Sequence, residues 1–222
     1  MKKKLKIIGL IPARWGSTRF VGKPLANISG KSMIRRVCEQ ARKSKTLNEV
    51  IVVTDDERIR DECLSHSMEC ILKKSKCHTG TDRIANVLED IDADIYVNIQ
   101  GDEPLIDPKS IDAVVKAVIK NSKVLTSNAY TEIRESYKVI DSDVVKVIFN
   151  AQSDAIYFSR SPIPFPKNSN NSFFQQLGLY AFRKKSLETF KKLSPGRLEL
   201  SESVEMLRFL ENELIVKMVK VE

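Results

Sequence analysis

The 222-residue sequence has few cysteines, few glycines and no long apolar run. No stretch approaches the ~18 apolar residues of a membrane-spanning helix, so we predict no membrane insertion. The cysteines lack the paired CxxC spacing of zinc sites, and we expect free thiols in a reducing cytoplasm. The four of them are Cys38, Cys63, Cys70 and Cys77.

Two glycine-rich nucleotide-binding patterns are also absent. The sequence contains neither the GxxxxGK[ST] pattern of P-loop proteins nor the GxGxxG pattern of dinucleotide-binding folds. The apolar content of 42% and charged content of 30% are typical of a globular protein. The length suffices for one α/β domain, or for one domain with a small insertion.

The chain is basic, with a formal net charge of +8. This charge indicates anionic partners, and nucleotides, acidic sugars and nucleic acid all fit it. Charge alone is only a weak pointer to nucleic acid, which makes a nucleic-acid surface the weakest of these interpretations. We therefore predict small anionic ligands and no nucleic-acid partner.

Strand-like and helix-like segments alternate in residues 1–122. Short apolar runs predict strands at residues 5–11, 50–54, 69–72 and 94–100, and helical periodicity predicts helices at 31–43, 55–66, 81–91 and 106–119. This βαβα order indicates a mostly parallel sheet with helices on both faces.

The pattern changes after residue 122. We predict strands at residues 124–130, 144–150, 155–159, 176–182 and 214–221, and helices at 184–193 and 201–210. Residues 162–171 are rich in Pro, Asn and Ser and lack apolar periodicity, so they predict a loop, and the sequence leaves open whether it closes over a substrate. The whole chain, 1–222, is predicted to be a single α/β domain.

The most informative segment, residues 11–24, reads IPARWGSTRFVGKP and follows the first predicted strand. It places Arg14, Arg19 and Lys23 among glycine, serine and threonine. Glycines permit close backbone approach to an anion, and the cations balance its charge. The segment therefore predicts a triphosphate-binding loop, with a solvated basic loop as the alternative.

Two further signals follow predicted strands. Residues 79–83 form a capped Thr-Gly-Thr turn before a helix, and Asp102 and Glu103 follow the strand at 94–100. A carboxylate at a strand end near a triphosphate is a suitable Mg²⁺ ligand, although Asp-Glu-Pro is also compatible with a simple turn. Together the three signals indicate metal-assisted attack at phosphorus, as in nucleotidyl transfer.

Four motifs carry a family resemblance. IPARWGSTRFVGKPL, HTGTDR, VNIQGDEP and YFSRSPIP occur in the order found in the 3-deoxy-manno-octulosonate cytidylyltransferase family, and the sequence resembles that family from about residue 7 to about residue 220. PAR-x-x-S alone would also admit CMP-sialic-acid synthetases, whereas GSTR followed by GKPL favours the first family.

The resemblance implies a Rossmann-like nucleotidyltransferase fold and an activity. In that reaction CTP and 3-deoxy-manno-octulosonate (Kdo) give CMP-Kdo and pyrophosphate for lipopolysaccharide synthesis, with Mg²⁺ as cofactor. It also implies a cytoplasmic homodimer. Residues 1–122 would then form the nucleotide-binding half, and residues 123–222 the sugar-binding and dimerisation half, with a smaller mixed subregion.

The resemblance also implies roles for individual residues. The CTP phosphates would be held by Arg14, Ser17, Arg19 and Lys23, and the nucleotide would be bordered by Thr79, Arg83 and Gln100. Asp102 would bind Mg²⁺ and, with Arg14 and Lys23, form the catalytic set. The sugar pocket would comprise Arg160, Gln176, Tyr180, Glu202 and Glu205.

Three departures from the family pattern leave alternatives open. Cys77 and Gln176 each stand where the family usually has His, and Gln cannot carry a His charge. The family's second metal carboxylate lies in a segment beyond the last strand, and the sequence ends at Glu222 before it. The alternatives are a transferase for a related acidic sugar (8-amino-Kdo or a nonulosonic acid), or a nucleotide-binding homologue with impaired catalysis.

Overall fold

The computed structural model describes residues 4–16, 20–167 and 172–222. Its strands are β1 (Ile7–Ala13), β2 (Asn27–Ile28), β3 (Lys31–Ser32), β4 (Glu49–Thr54), β5 (Glu69–Leu72), β6 (Ile95–Ile99), β7 (Thr126–Ile133), β8 (Lys146–Phe149), β9 (Ala155–Ser159), β10 (Phe173–Arg183) and β11 (Lys217–Lys220). Its helices are α1 (Met33–Ala41), α2 (Glu57–Ser65), α3 (Gly80–Ala85), α4 (Pro108–Lys120), α5 (Ser136–Ile140), α6 (Lys184–Lys192), α7 (Arg197–Glu202) and α8 (Leu207–Leu210).

The main sheet has the strand order β11-β7-β10-β6-β1-β4-β5, with β8 and β9 attached at its side through β10. Strands β6, β1, β4 and β5 are parallel, and β10 is inserted antiparallel between β6 and β7. The predicted mostly parallel α/β sheet is therefore confirmed. Because β1 and β6 are parallel neighbours, the loops after them leave the same edge of the sheet.

Both faces of the sheet are buried. Along β1, Ile7 and Ile11 belong to one hydrophobic core, which also contains residues of α1 and α4. Ile8 and Leu10 point into a second core on the opposite face, with residues of α3 and α6. Burial on both faces explains why β1 is an almost continuous apolar run.

The longest helix, α4, begins at an ordinary cap. The side chain of Asp107 accepts a hydrogen bond from the Lys109 N–H, and Pro108 occupies the first turn. In the described part of the chain, no helix is long and apolar enough to cross a membrane.

Two helix predictions were wrong. The helix predicted at 81–91 ends at residue 85, and the backbone continues in turns bonded three residues apart, such as Val87 N–H to Ile84 O. The helix predicted at 201–210 is divided into α7 and α8, because Ser203 has a φ of 52° and interrupts it. Apolar residues in both segments are nevertheless buried, so periodic burial does not require a continuous helix.

Several smaller features were missed or shifted. The sequence analysis did not predict the hairpin β2–β3 or the short helix α5. The last strand is confined to residues 217–220. The described part of the loop predicted at 162–171, residues 162–167, contains neither helix nor strand, and residues 168–171 lie outside the described chain.

Candidate active site

The loops after β1 and β6 border a cavity of about 820 Å³. The opposite side of the cavity comes from the second half of the chain, including β10 and the segment between α7 and α8. The predicted site residues that line it are Arg14, Lys23, Thr79, Arg83, Gln100, Asp102, Arg160, Gln176, Tyr180 and Glu205. Among the described residues of the predicted set, only Glu202 is not part of this lining, and Ser17 and Arg19 lie outside the described chain.

Trp15 and Gly22 are in contact within residues 11–24, the segment predicted to bind a triphosphate and called the basic loop from here on. The Gly22 N–H donates to the Trp15 carbonyl at 3.0 Å, and Gly22 has a φ of 72°. A Cβ at Gly22 would lie 2.9 Å from the Trp15 ring, so both the conformation and the space favour glycine. Lys23 follows immediately, which fixes the position of one predicted phosphate-binding cation.

The predicted phosphate cation and the predicted metal ligand are in contact. Lys23 Nζ lies 2.6 Å from Asp102 Oδ2, and the two side chains are 37% and 48% exposed. Such exposed ion pairs contribute little to stability, on the order of 0–1 kcal/mol. Breaking this ion pair would therefore cost little, so either side chain can exchange its partner for a charged ligand.

The acidic turn after β6 carries the carboxylate that the sequence analysis predicts to bind Mg²⁺. Mg²⁺ is usually bound by one or two carboxylates, with phosphate oxygens and waters completing its shell. The neighbouring Glu103 is a poorer candidate, because burial and then the charge of Asp102 raise the pKa of its carboxyl. Within the described residues no cluster of three or more His, Cys, Asp or Glu side chains could hold a metal. The more exposed carboxylate of this turn, that of Asp102, lines the cavity and lies beside Lys23.

Gln100 lies at the cavity wall against a glycine of β10. A Cβ at Gly178 would lie 2.5 Å from Gln100 Cγ, which is closer than any ordinary contact. Gly178 also lies where the register between β10 and β7 shifts, between Gln176 and Tyr180. The irregular strand and the missing side chain together make room for Gln100.

The Thr-Gly-Thr turn is a capping box that holds a buried arginine beside the cavity. The Thr79 hydroxyl accepts from the Asp82 N–H at 3.1 Å, and the Asp82 carboxylate accepts from the Thr79 N–H at 3.0 Å. Arg83, 6% exposed, donates Nη2–H to Asp55 at 2.8 Å. Its buried Nη1 has no hydrogen-bond partner among the described residues. A buried, unpaired donor in a cavity wall is suited to a ligand oxygen or ring nitrogen.

The opposite wall is built by Gln176, Tyr180 and Glu205. The Gln176 amide donates to the Tyr180 hydroxyl at 3.2 Å, and Glu205 Oε2 accepts from the Thr81 N–H at 3.0 Å. Burial, followed by the charges of Glu205 and Glu103, raises the pKa of Tyr180 well above its ordinary value. Burial also raises the pKa of Glu205. This wall therefore presents a protonated phenol and an amide beside a buried carboxyl group whose charged form is disfavoured by burial.

Glu202 orients Arg160 instead of facing the cavity. Its carboxylate accepts from the Ser159 hydroxyl at 2.7 Å and from the Arg160 N–H at 2.8 Å. The Arg160 side chain donates to the carbonyls of Glu202 and Ser142 at 2.6 and 2.7 Å. The family resemblance implied both residues for the sugar pocket, but only Arg160 lines the cavity.

Sequence reasoning missed a buried lysine behind this wall. Lys146 is fully buried, and its ammonium donates to the carbonyls of Asp141, Val144 and Arg160. Burial lowers its pKa. A lysine inside the apolar run of residues 144–149 was the available signal, since buried lysines need dedicated partners.

The fold and the cavity define a nucleotidyltransferase-type α/β enzyme. The family model described as cytidylyltransferase matches residues 8–218, and the chain belongs to this family. The predicted enzyme class, a cytidylyltransferase, is thereby confirmed.

Individual relatives point to one branch of the family. The chain is 42% identical over 219 residues to the 3-deoxy-manno-octulosonate cytidylyltransferase of Solibacter usitatus, covering 98% of this chain and 87% of the relative. It is 40% identical to the enzyme of that name from Chlamydia caviae, covering 96% of this chain and 85% of the relative.

A solved structure agrees with these relatives. It is that of CMP:2-keto-3-deoxy-manno-octonic acid synthetase complexed with CTP, with a TM-score of 0.93 and 34% identity over 97% of this chain and 90% of that one. The family resemblance that the four motifs predicted is therefore confirmed.

Proposed function

We propose that the protein transfers the cytidylyl group of CTP to Kdo, releasing pyrophosphate and forming CMP-Kdo. The observation that carries this proposal is that one cavity joins Lys23 and Asp102 on one side to Arg160 and Tyr180 on the other. The names of the relatives support it. Residues 1–122 would then bind the nucleotide, and residues 123–222 the sugar.

On the nucleotide side, Arg14 and Lys23 would neutralise the charge that develops on the departing pyrophosphate. Lys23 would exchange its exposed contact with Asp102 for phosphate oxygens. Ser17 and Arg19 belong to the same proposed phosphate set. Thr79, Arg83 and Gln100 would border the nucleotide, with the unpaired Arg83 Nη1 donating to it.

Asp102 would hold Mg²⁺, together with phosphate oxygens of CTP. When bound there, the ion would supply Lewis-acid polarisation of the phosphate that is attacked. The fit rests on an exposed carboxylate beside a cationic loop.

On the sugar side, Arg160, Gln176, Tyr180 and Glu205 would bind the acidic sugar and orient its anomeric hydroxyl. That oxygen forms a bond to the α-phosphorus, the bond from phosphorus to the pyrophosphate oxygen breaks, and the hydroxyl proton is released. Nucleotidyl transfer depends mainly on such positioning and on charge neutralisation, with little covalent chemistry from the protein. Glu202 would act indirectly by holding Arg160.

The test is pyrophosphate release from CTP and Kdo with the purified chain, with and without Mg²⁺. We expect release to require both the sugar and the metal, and Asp102→Asn to abolish it. The matched control is Asp90→Asn, because Asp90 forms a similarly exposed 2.6 Å ion pair with Lys73. Binding of CTP without turnover at any Mg²⁺ concentration would favour a non-catalytic homologue instead.

A second candidate substrate is a related acidic sugar, such as 8-amino-Kdo or a nonulosonic acid. The favouring observation is that Gln176, an uncharged amide, contacts Tyr180 in the proposed sugar wall where the family usually has His. A substrate panel separates the two, and a clear preference for Kdo would count against the alternative.

The proposal includes a homodimer formed by the second half of the chain. Tyr137 and Ile140 of α5 and Ile156 of β9 are large exposed apolar residues in that half. Light scattering of the purified protein tests it, and a monomeric mass at micromolar concentration would refute it. The proposed location is the cytoplasm, whose reducing conditions suit the chain's four free thiols.

A further inference from the structure

The basic loop is contacted from outside the cavity by an arginine of α2. Arg58 places its guanidinium carbon 3.5 Å from the centroid of the Trp15 ring, which is cation–π geometry. Trp15 is the single tryptophan of the chain. Arg58 lies outside the set of described residues that line the cavity.

The position of Arg58 is itself fixed by a fork of hydrogen bonds. Its Nε and Nη2 donate to the two carboxylate oxygens of Asp56 at 2.9 and 2.7 Å. Asp56 also caps α2 by accepting from the Arg58 N–H at 3.0 Å. A bidentate pair of this kind restricts the guanidinium plane as well as its location. Arg58 is therefore held in position by Asp56 at the start of α2, in addition to its contact with the Trp15 ring.

Trp15 in turn sets the geometry of the loop. Its carbonyl accepts from the Gly22 N–H, and its ring fills the space where Gly22 would carry a side chain. Arg14 directly precedes Trp15, and Lys23 directly follows Gly22. A displacement of the Trp15 ring would therefore shift both of these cations.

We propose that Arg58 is a positioning residue for the phosphate-binding loop, acting through Trp15 to fix where Arg14 and Lys23 meet a triphosphate. This inference rests on the proposed function, because it assigns CTP phosphates to that loop. Arg58 touches no substrate in this scheme. Asp56 orients Arg58, and the adjacent Asp55 orients Arg83. The turn after β4 therefore holds one arginine against Trp15 and another in the cavity wall.

Substitution of Arg58 would give different results if its contact with Trp15 had a purely structural role. Arg58 is 55% exposed, and Asp56 would keep its hydrogen bond from the backbone N–H of residue 58, so the protein should still fold without the guanidinium. If its role were only structural, substitution would change the melting temperature and the exposure of Trp15 but leave CTP affinity unaltered. A positioning role predicts that CTP affinity falls as well.

The experiment compares wild type, Arg58→Ala and Arg58→Lys, with Arg60→Ala as a matched control. Arg60 belongs to the same helix and pairs with the exposed Asp61. Tryptophan emission reports on Trp15 alone, and calorimetry with CTP and Mg²⁺ gives the dissociation constant. Pyrophosphate release separates KM for CTP, KM for Kdo and kcat.

For Arg58→Ala we expect red-shifted emission, stronger quenching by acrylamide, and a rise of about two- to fivefold in Kd and KM for CTP. KM for Kdo should stay near the wild-type value. Arg58→Lys, which keeps the charge but loses the fork, should recover part of the affinity. Arg60→Ala should match wild type in every readout.

Wild-type CTP affinity in Arg58→Ala, with or without a change in emission, would overturn the inference while leaving the proposed function intact. An equal loss in Arg60→Ala would also overturn it, because the effect would then come from surface charge. A wild-type protein that fails to bind CTP would refute the proposed function, and the inference with it.

Discussion

Replacing Arg208 by Met should destabilise the protein strongly, because Arg208 is the centre of a buried ionic cluster. It is 2% exposed and donates to both oxygens of Glu199 at 2.7 and 2.6 Å, and to Asp82 at 2.8 Å. Its guanidinium also stacks on Phe190, 3.9 Å from the ring centroid. Asp82 is the residue that completes the capping box of Thr79, so the cluster connects α7 and α8 to a turn of the active site.

The magnitude follows from the charges that the substitution leaves behind. Methionine keeps much of the volume of Arg208 but leaves the carboxylates of Glu199 and Asp82 without this cationic partner, and their side chains are only 4% and 17% exposed. Breaking a buried ion pair on one side typically costs about 3–5 kcal/mol. For a chain of this size that corresponds to a fall in melting temperature of about 6–20 °C.

The effect should depend on pH in a defined direction. Burial raises the pKa of Asp82, but hydrogen bonds and charge from Arg208 outweigh burial and hold it below its ordinary value. In wild type this contribution to stability is therefore present above the unfolded pKa of about 3.9 and is lost as the pH falls through the folded value. In Arg208→Met the Asp82 carboxylate loses the partner that lowers its pKa and takes up a proton more readily, so the deficit should narrow on acidification.

Thermal unfolding followed by circular dichroism, at about pH 7.5 and about pH 4.5, tests both parts of this prediction. Arg197→Met, an exposed substitution in α7, is the control and should leave the melting temperature near that of wild type. A loss below about 2 °C, or a deficit equal at both pH values, would refute the reasoning.

Two other substitutions probe the cavity walls. Gly178→Ala places a Cβ against Gln100 Cγ, so we expect an overpacking cost of about 1–3 kcal/mol, seen as weaker CTP binding or lower stability. The cost should vanish in a Gln100→Ala background, and equal costs in both backgrounds would contradict the proposed contact. Lys146→Met removes donors from three backbone carbonyls, including that of Arg160, and should lower the free energy of unfolding in urea by about 2–4 kcal/mol. An unchanged urea midpoint would contradict the proposed bracing of Arg160 by Lys146.

Much of the fold was predictable because its signals are local. Short apolar runs bounded by turns identified the parallel strands, and both buried faces of the sheet made those runs easy to see. The two wrong helix predictions concern segments in which periodic burial is compatible with either a continuous helix or a series of turns. Residues 81–91 and 201–210 bury apolar side chains periodically, yet turns and the left-handed Ser203 replace the continuous helices.

Several residues of the candidate site could be expected near one another, since they belong to motifs that follow predicted strands. Parallel strands bring such motifs to one edge of the sheet, so Arg14 and Asp102 were expected near each other. The sequence could not show which groups pair. Lys23 and Asp102 are 79 positions apart, and Arg208 and Asp82 are 126 positions apart.

The sequence by itself determined the class of fold, the family, and the residue types offered to the ligand, because these depend on local patterns and on motif order. Only the tertiary structure decided that Glu202 supports Arg160, that Lys146 braces the same wall, and that Arg58 lies on Trp15. These contacts depend on distances of a few ångströms between segments remote in sequence. Such distances follow from the packing of the whole chain and leave no periodic signature in any one segment.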